Sequence, residues 1–109
     1  MEPLARLGRA TIDVLTVLLG SDEPRWGLEL IKLTGRPSGT VYPLLDRLER
    51  AGWVSSQWEV DTQRSGPRRR VYRMTPDGVV AARDALRRAD QSADARRRWI
   101  AQPGNGAAG

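Results

Sequence analysis

The sequence predicts a mainly α fold carrying a two-stranded β-hairpin: three short helices, the hairpin, then one long C-terminal helix. Three observations predict it. Apolar residues recur at spacings of three and four in separate stretches, an alternating stretch leads into a cluster of turn formers, and a Thr-Pro pair opens a long run of helix formers.

The first helix covers residues 11–19. Ile12, Val14, Leu15, Val17, Leu18 and Leu19 make it apolar on most sides, and Gly20 ends it, so it reads as a core helix. Leu4 and Leu7 either extend it backwards or form a separate arm. The loop GSDEPR leads into a second helix, from Pro24 or Arg25 to Thr34, with Leu28, Ile31, Trp26 and Leu30 facing inward. Gly35, Arg36 and Pro37 then break the chain.

The third helix begins at Ser38, a good N-cap, and Gly52 follows its last periodic residue as a C′ glycine should. Val41, Leu44, Leu45 and Leu48 face inward, leaving Gly39, Thr40, Pro43, Arg47 and Arg50 outside. Pro43 removes one backbone donor, so a mild kink or a loose first turn is expected. Two helices joined by a three-residue turn make a helix-turn-helix, and the helix after the turn is the one that enters a DNA major groove.

In the hairpin, Val54, Ser56, Trp58 and Val60 lie on one face and Trp53, Ser55, Gln57 and Glu59 on the other, with Val71 to Met74 returning. Its tip, DTQRSGP, carries Arg64 and runs into Arg68, Arg69 and Arg70. Crowded guanidinium groups repel one another unless a polyanion compensates them, and arginines bind phosphates and narrow minor grooves. The hairpin thus completes a winged helix-turn-helix. Trp26, Trp53 and Trp58 read as core or hairpin packing.

Thr75 as N-cap and Pro76 at the first helical position open the last helix. Val79, Ala82, Leu86, Ala89, Ala93 and Ile100 form a heptad seam interrupted by Arg96. About 24 helical residues at ~1.5 Å each span ~36 Å, longer than so small a head. The seam either pairs with a second copy of the chain, joined by Leu15 and Leu18 of the first helix, or folds onto that helix in the same chain. Trp99 and Ile100 are expected to clasp a partner subunit. The organisation is therefore a DNA-binding head over residues 1–75, a C-terminal dimerisation helix over 76–101 and a disordered tail over 102–109.

Composition bounds the rest. The 109 residues hold 18 basic and 13 acidic side chains, a net charge of +5, and a pI near 10.9, which suits a polyanionic partner. All the basic residues but Lys32 are Arg; Arg suits forked phosphate and guanine contacts, and a GC-rich genome produces the same bias. The absence of Cys and His excludes disulfides, thiolate nucleophiles, the usual zinc sites and imidazole acid–base chemistry. No enzyme, cofactor or metal site is expected. No stretch approaches the ~20 apolar residues of a membrane span, and the start shows no signal-peptide pattern, so a cytoplasmic protein is expected.

Four stretches together resemble the PadR family of transcriptional regulators, in particular its small subgroup with a single C-terminal helix: WGLELIKLTG, SGTVYPLLDRLERAGWV, GPRRRVYRMT and Gly78 three residues after Thr75. The similarity covers residues 12–86. It implies a homodimer, usually a repressor, on a roughly palindromic operator of double-stranded DNA. It implies further that Ser38, Thr40 and Tyr42 lie at the DNA-facing start of the third helix, where the outward-facing Gly39 joins them, with Tyr42 touching a phosphate or packing beneath the wing. Arg69 and Arg70 match the family's basic pair after Gly-Pro, while Val71 stands where the family usually has a second aromatic. Arg36, Arg47, Arg64 and Arg68 join them from their positions; Arg36 and Arg47 are either phosphate clamps or surface ion-pair partners. Some relatives bind aromatic small-molecule effectors through an aromatic on the last helix, whereas here none precedes Trp99, which leaves an effector unassigned. The alternative reading is a winged-helix protein-interaction module without specific DNA binding.

Overall fold

The computed structural model of the chain describes residues 7–60 and 66–102. Seven elements follow one another: α1 (Arg9–Leu19), β1 (Arg25–Trp26), α2 (Gly27–Thr34), α3 (Ser38–Arg50), β2 (Val54–Trp58), β3 (Arg70–Met74) and α4 (Pro76–Ala101). The expected Leu4, the turn residues including Arg64, and residues 103–109 of the tail lie outside the described residues.

The two most regular helices bury the same register. Thr11, Val14, Leu15 and Leu18 of α1 and Val41, Leu44, Leu45 and Leu48 of α3 are all buried, each set following the i, i+3, i+4, i+7 pattern of one helical face. With Leu30, Ala51, Trp53, Val54, Tyr72 and Ala82, the apolar members of both sets form a single core. Leu28 departs from expectation and is exposed, because α2 turns only Gly27 and Leu30 fully inward.

The sheet has three antiparallel strands in the order β1-β3-β2, one more than the expected hairpin. Arg25 and Trp26 pair with Tyr72 and Val71, which holds them extended and delays α2 until Gly27. Glu29 supports that start: its carboxylate accepts from the Trp26 amide at 3.1 Å and from the Arg25 guanidinium at 3.0 Å.

Ser38 is likewise displaced from its expected role. Pro37 is the N-cap, extended at ψ 158°, and its carbonyl accepts from the amides of Thr40 and Val41; Ser38 is the first helical residue. α3 runs as one helix through Pro43. Its end is a Schellman motif. The Trp53 amide reaches the Leu48 carbonyl, the Gly52 amide reaches Glu49, and Gly52 carries the required positive φ of 85°.

α4 starts on that same motif. The Thr75 hydroxyl accepts from the Gly78 amide at 2.8 Å, as an N-cap does, and donates to the Gly52 carbonyl at 2.8 Å. The Thr75 amide donates to the Trp53 carbonyl at 3.0 Å. Gly78 lies so near that a Cβ built on it falls 2.0 Å from the Trp53 carbonyl oxygen. From this joint α4 runs for 26 residues. It carries the molecule to an extent of 63 Å along its longest axis against 26 and 22 Å across.

Leu15, Leu18 and Ala82, expected at a dimer seam, are 0, 4 and 0 % exposed within the single chain. They belong to the hydrophobic core of the single chain. The remaining seam residues follow a gradient: Val79, Leu86, Ala89 and Ala93 are half-buried, and Trp99 and Ile100 are exposed. Among the described residues no helix is long and apolar enough to cross a membrane.

Gly78→Ala should lower stability by about 1–3 kcal/mol, the usual cost of overpacking a site that cannot yield, because the obstacle is backbone. Thermal unfolding measures it, and an unchanged Tm would contradict the close approach.

Candidate nucleic-acid interface

The outer face of α3 presents Ser38, Gly39, Pro43 and Arg47 to solvent, with Thr40 half-buried beside them. No internal contact explains the glycine: a Cβ at position 39 would meet nothing within 4 Å. Arg50 is held by Asp46 one turn back at 2.5 Å, while Arg47 has no carboxylate within ion-pair distance among the described residues.

Tyr42 is 46 % exposed, and its ring lies on the first residue of α2. A Cβ on Gly27 would fall 2.4 Å from Tyr42 Cε1 and 2.8 Å from its hydroxyl oxygen. Glycine at 27 is thus the space the tyrosine ring occupies. The ring packs against the start of α2, with part of it still facing solvent.

Three arginines at the wing root, Arg68, Arg69 and Arg70, have different surroundings. Arg68 is exposed, with no ion pair among the described residues. Arg69 stacks on Trp26, its guanidinium carbon 3.7 Å from the ring centroid, an arrangement worth about 0.5–2 kcal/mol. Its Nε is buried without an acceptor. Arg70 stands 5.4 Å from the Trp58 ring centroid and 3.9 Å from a Glu49 carboxylate oxygen. That carboxylate also accepts a hydrogen bond from the Ser56 hydroxyl, so Glu49 ties α3 to both strands of the wing. Burial pushes the Tyr72 phenol above its ordinary pKa of 10.0, with Arg70 opposing the shift; the phenol stays protonated at neutral pH.

Tyr42, Trp26 and Gly27 on one side and Gly66 to Arg70 with Tyr72 on the other enclose an open cleft of about 370 Å³. Through Tyr42, α3 and the wing therefore share one cleft. Arg36 lies elsewhere: its Nε and Nη2 both donate to Asp13 Oδ2 at 3.0 and 2.9 Å, which ties the α2–α3 turn to α1. It is an ion-pair partner rather than a free clamp. Such a half-exposed pair contributes little stability, about 0–1 kcal/mol.

A second cleft, of about 800 Å³, lies between the start of α1 and the outer half of α4, lined by Leu7, Ile12, Ala85, Ala89, Ala93 and Ile100 together with arginines. Among the described residues no three His, Cys, Asp or Glu side chains gather as a metal site would need.

Sequence reasoning missed two participants. Trp26 was expected in the core and instead carries Arg69; Gly27 was expected only as a motif glycine and instead seats Tyr42. The adjacent pair Trp-Gly was the available signal, a large ring next to a residue with no side chain, and only the pairing of β1 with β3 shows what each one faces.

Residues 14–84 match the transcriptional regulator PadR-like family. Among solved structures, a PadR family transcriptional regulator from Eggerthella lenta is 29% identical, with a TM-score of 0.66 over 82% of this chain and 81% of the other. A PadR family regulator from Clostridium difficile is 26% identical, with a TM-score of 0.57 over 82% of this chain and 93% of the other. The transcriptional repressor CouR, bound to a 23-mer DNA duplex, shares the fold at 19% identity, with a TM-score of 0.70 over 91% of this chain and 65% of the other. No curated protein matches.

Gly27→Ala should displace Tyr42 at a cost below about 1 kcal/mol, since a side chain rather than backbone must yield. Tetranitromethane should then nitrate Tyr42 faster while buried Tyr72 stays protected; unchanged nitration would contradict the packing.

Proposed function

The chain belongs to the PadR-like family of transcriptional regulators, and from that premise we propose that it is a sequence-specific, homodimeric DNA-binding repressor rather than an enzyme. The observation that carries the proposal is the single surface formed by the outer face of α3 and the wing root, with Arg47, Arg68 and Arg69 all lacking a carboxylate partner among the described residues. The first turn of α3 enters the major groove. Ser38, Gly39 and Thr40 approach base edges and Arg47 the backbone, while the wing follows the flanking phosphates. The absence of a Cβ at position 39 lets the helix come close to the duplex.

Dimerisation on this reading uses the outer half of α4. Ala89 and Ala93 are small enough for a second helix to approach, Leu86 and Ile100 flank them, and Trp99 closes the end. Two copies related by a two-fold axis present two α3 helices to inverted half-sites, so a roughly palindromic operator follows from the symmetry. Residues 1–75 act as the reading head and residues 76–101 as the dimerisation helix, with the first two turns of α4 built into the head. The shared fold of CouR, a repressor bound to DNA, supports the DNA-binding reading.

Binding to the DNA upstream of its own gene should weaken steeply with salt. Arg47→Ala and Arg68→Ala should each flatten the slope of log K against log salt by about one unit per protomer. Gly39→Ala should leave Tm unchanged or higher and still weaken operator binding, because the new methyl group meets only the DNA. Full operator affinity in all three variants would contradict the assignment of this face.

Ala89→Glu and Ala93→Glu place a charge on the proposed seam outside the protomer core. Each should sediment as a folded monomer with unchanged helical circular dichroism; a persistent dimer would contradict the seam.

A further inference from the structure

Arg69 combines three properties that the fold alone leaves unexplained. Its guanidinium lies face-on against Trp26 at 3.7 Å, its Nε is out of water with no acceptor, and no carboxylate is within ion-pair distance of it among the described residues. Glu59 accepts from the Arg69 backbone amide at 3.3 Å. Arg36, Arg50 and Arg70, by contrast, all have carboxylate partners. Arg69 is a positive charge held in one orientation and left uncompensated at a cleft it shares with Tyr42.

Trp26 is itself fixed. Its backbone pairs with Val71 of β3, and its amide is held by Glu29 at 3.1 Å. The ring is thus held by the short strand β1, independently of the hairpin tip.

We propose that Trp26 is a positioning residue for DNA binding: its indole orients Arg69 so that the guanidinium's terminal nitrogens meet one backbone phosphate of the duplex in the cleft beside the Tyr42 hydroxyl. The proposal rests on the DNA-binding reading above. Ordering a long side chain on contact costs entropy, and a guanidinium already stacked on a ring has lost that freedom before the phosphate arrives. Stacking leaves the edge of the guanidinium, where its donors point, free for a phosphate. β1 accordingly serves the wing as well as the sheet.

The test uses the full-length chain and a labelled mixed-sequence duplex, which offers the protein phosphates without an operator. Arg69→Gln should flatten the salt slope by about one unit for each protomer engaged. Trp26→Met and Trp26→Leu change no charge, fill the ring's space differently, and should flatten it by the same amount, whereas Trp26→Phe keeps a ring face and should restore the wild-type slope. Combining Trp26→Met with Arg69→Gln should flatten it no further.

A wild-type slope in folded Trp26→Met or Trp26→Leu protein would overturn the inference, as would additive losses in the double variant. A role confined to packing would lower Tm and leave the slope alone. Wild-type protein that bound no duplex at any salt concentration would overturn the DNA-binding reading itself, an outcome distinct from a normal wild-type slope with silent Trp26 variants.

Discussion

The joint at Thr75 is the constraint on which the rest of the molecule depends. α3 ends where Gly52 turns into the left-handed region, and α4 begins where Thr75 bonds back to the carbonyls of Gly52 and Trp53. Gly78 rests directly on the Trp53 carbonyl. The exit of α3 and the start of α4 are therefore joined through hydrogen bonds from Thr75 to two backbone carbonyls and one van der Waals contact, with no long side chain between them. Backbone contacts of this kind leave little freedom to bend, so the direction of α4 relative to α3 is a property of the protomer. In the proposed two-fold dimer, that direction would set the distance between the two α3 helices and hence the spacing of the half-sites they address.

Charge is distributed to the same end. Asp13, Asp46 and Glu49 compensate Arg36, Arg50 and Arg70, tying turn to helix, turn to turn within α3, and wing to α3. Arg47, Arg68 and Arg69, on the outer side of α3 and the wing root, are among the cations without such a partner among the described residues. A net charge of +5 thus describes the molecule less well than the division between arginines that brace the scaffold and arginines available to a polyanion. The aromatic rings follow the same division: Trp53 is buried in the core, while Trp26 and Trp58 each lie beneath a wing arginine.

Much of this was legible in the sequence because it is local. The spacing of Val41, Leu44, Leu45 and Leu48 determines which face of α3 is buried, Gly52 marks its end, and the Thr75-Pro76 pair marks the start of α4. What was not legible depends on partners distant along the chain. Two residues, Arg25 and Trp26, have no periodicity to detect, and only their register with Tyr72 and Val71 makes them a strand. Ser38 carries a capping hydroxyl, yet the backbone at Pro37 is already extended and supplies the first carbonyl one residue earlier. Leu15 and Leu18 look like interface residues because an apolar face does not record which surface covers it; here α1 packs against α2, α3, β3 and α4 of the same chain. Arg36 left two partners open, and Asp13, 23 residues away, decided between them.

The most direct test of a paired reading head on rigid arms is selection of bound duplexes from a random-sequence pool by the purified full-length protein, followed by sequencing. The account predicts enriched sequences made of two inverted half-sites at one fixed spacing. Enrichment of single half-sites, of half-sites at scattered spacings, or of no sequence at all would contradict it.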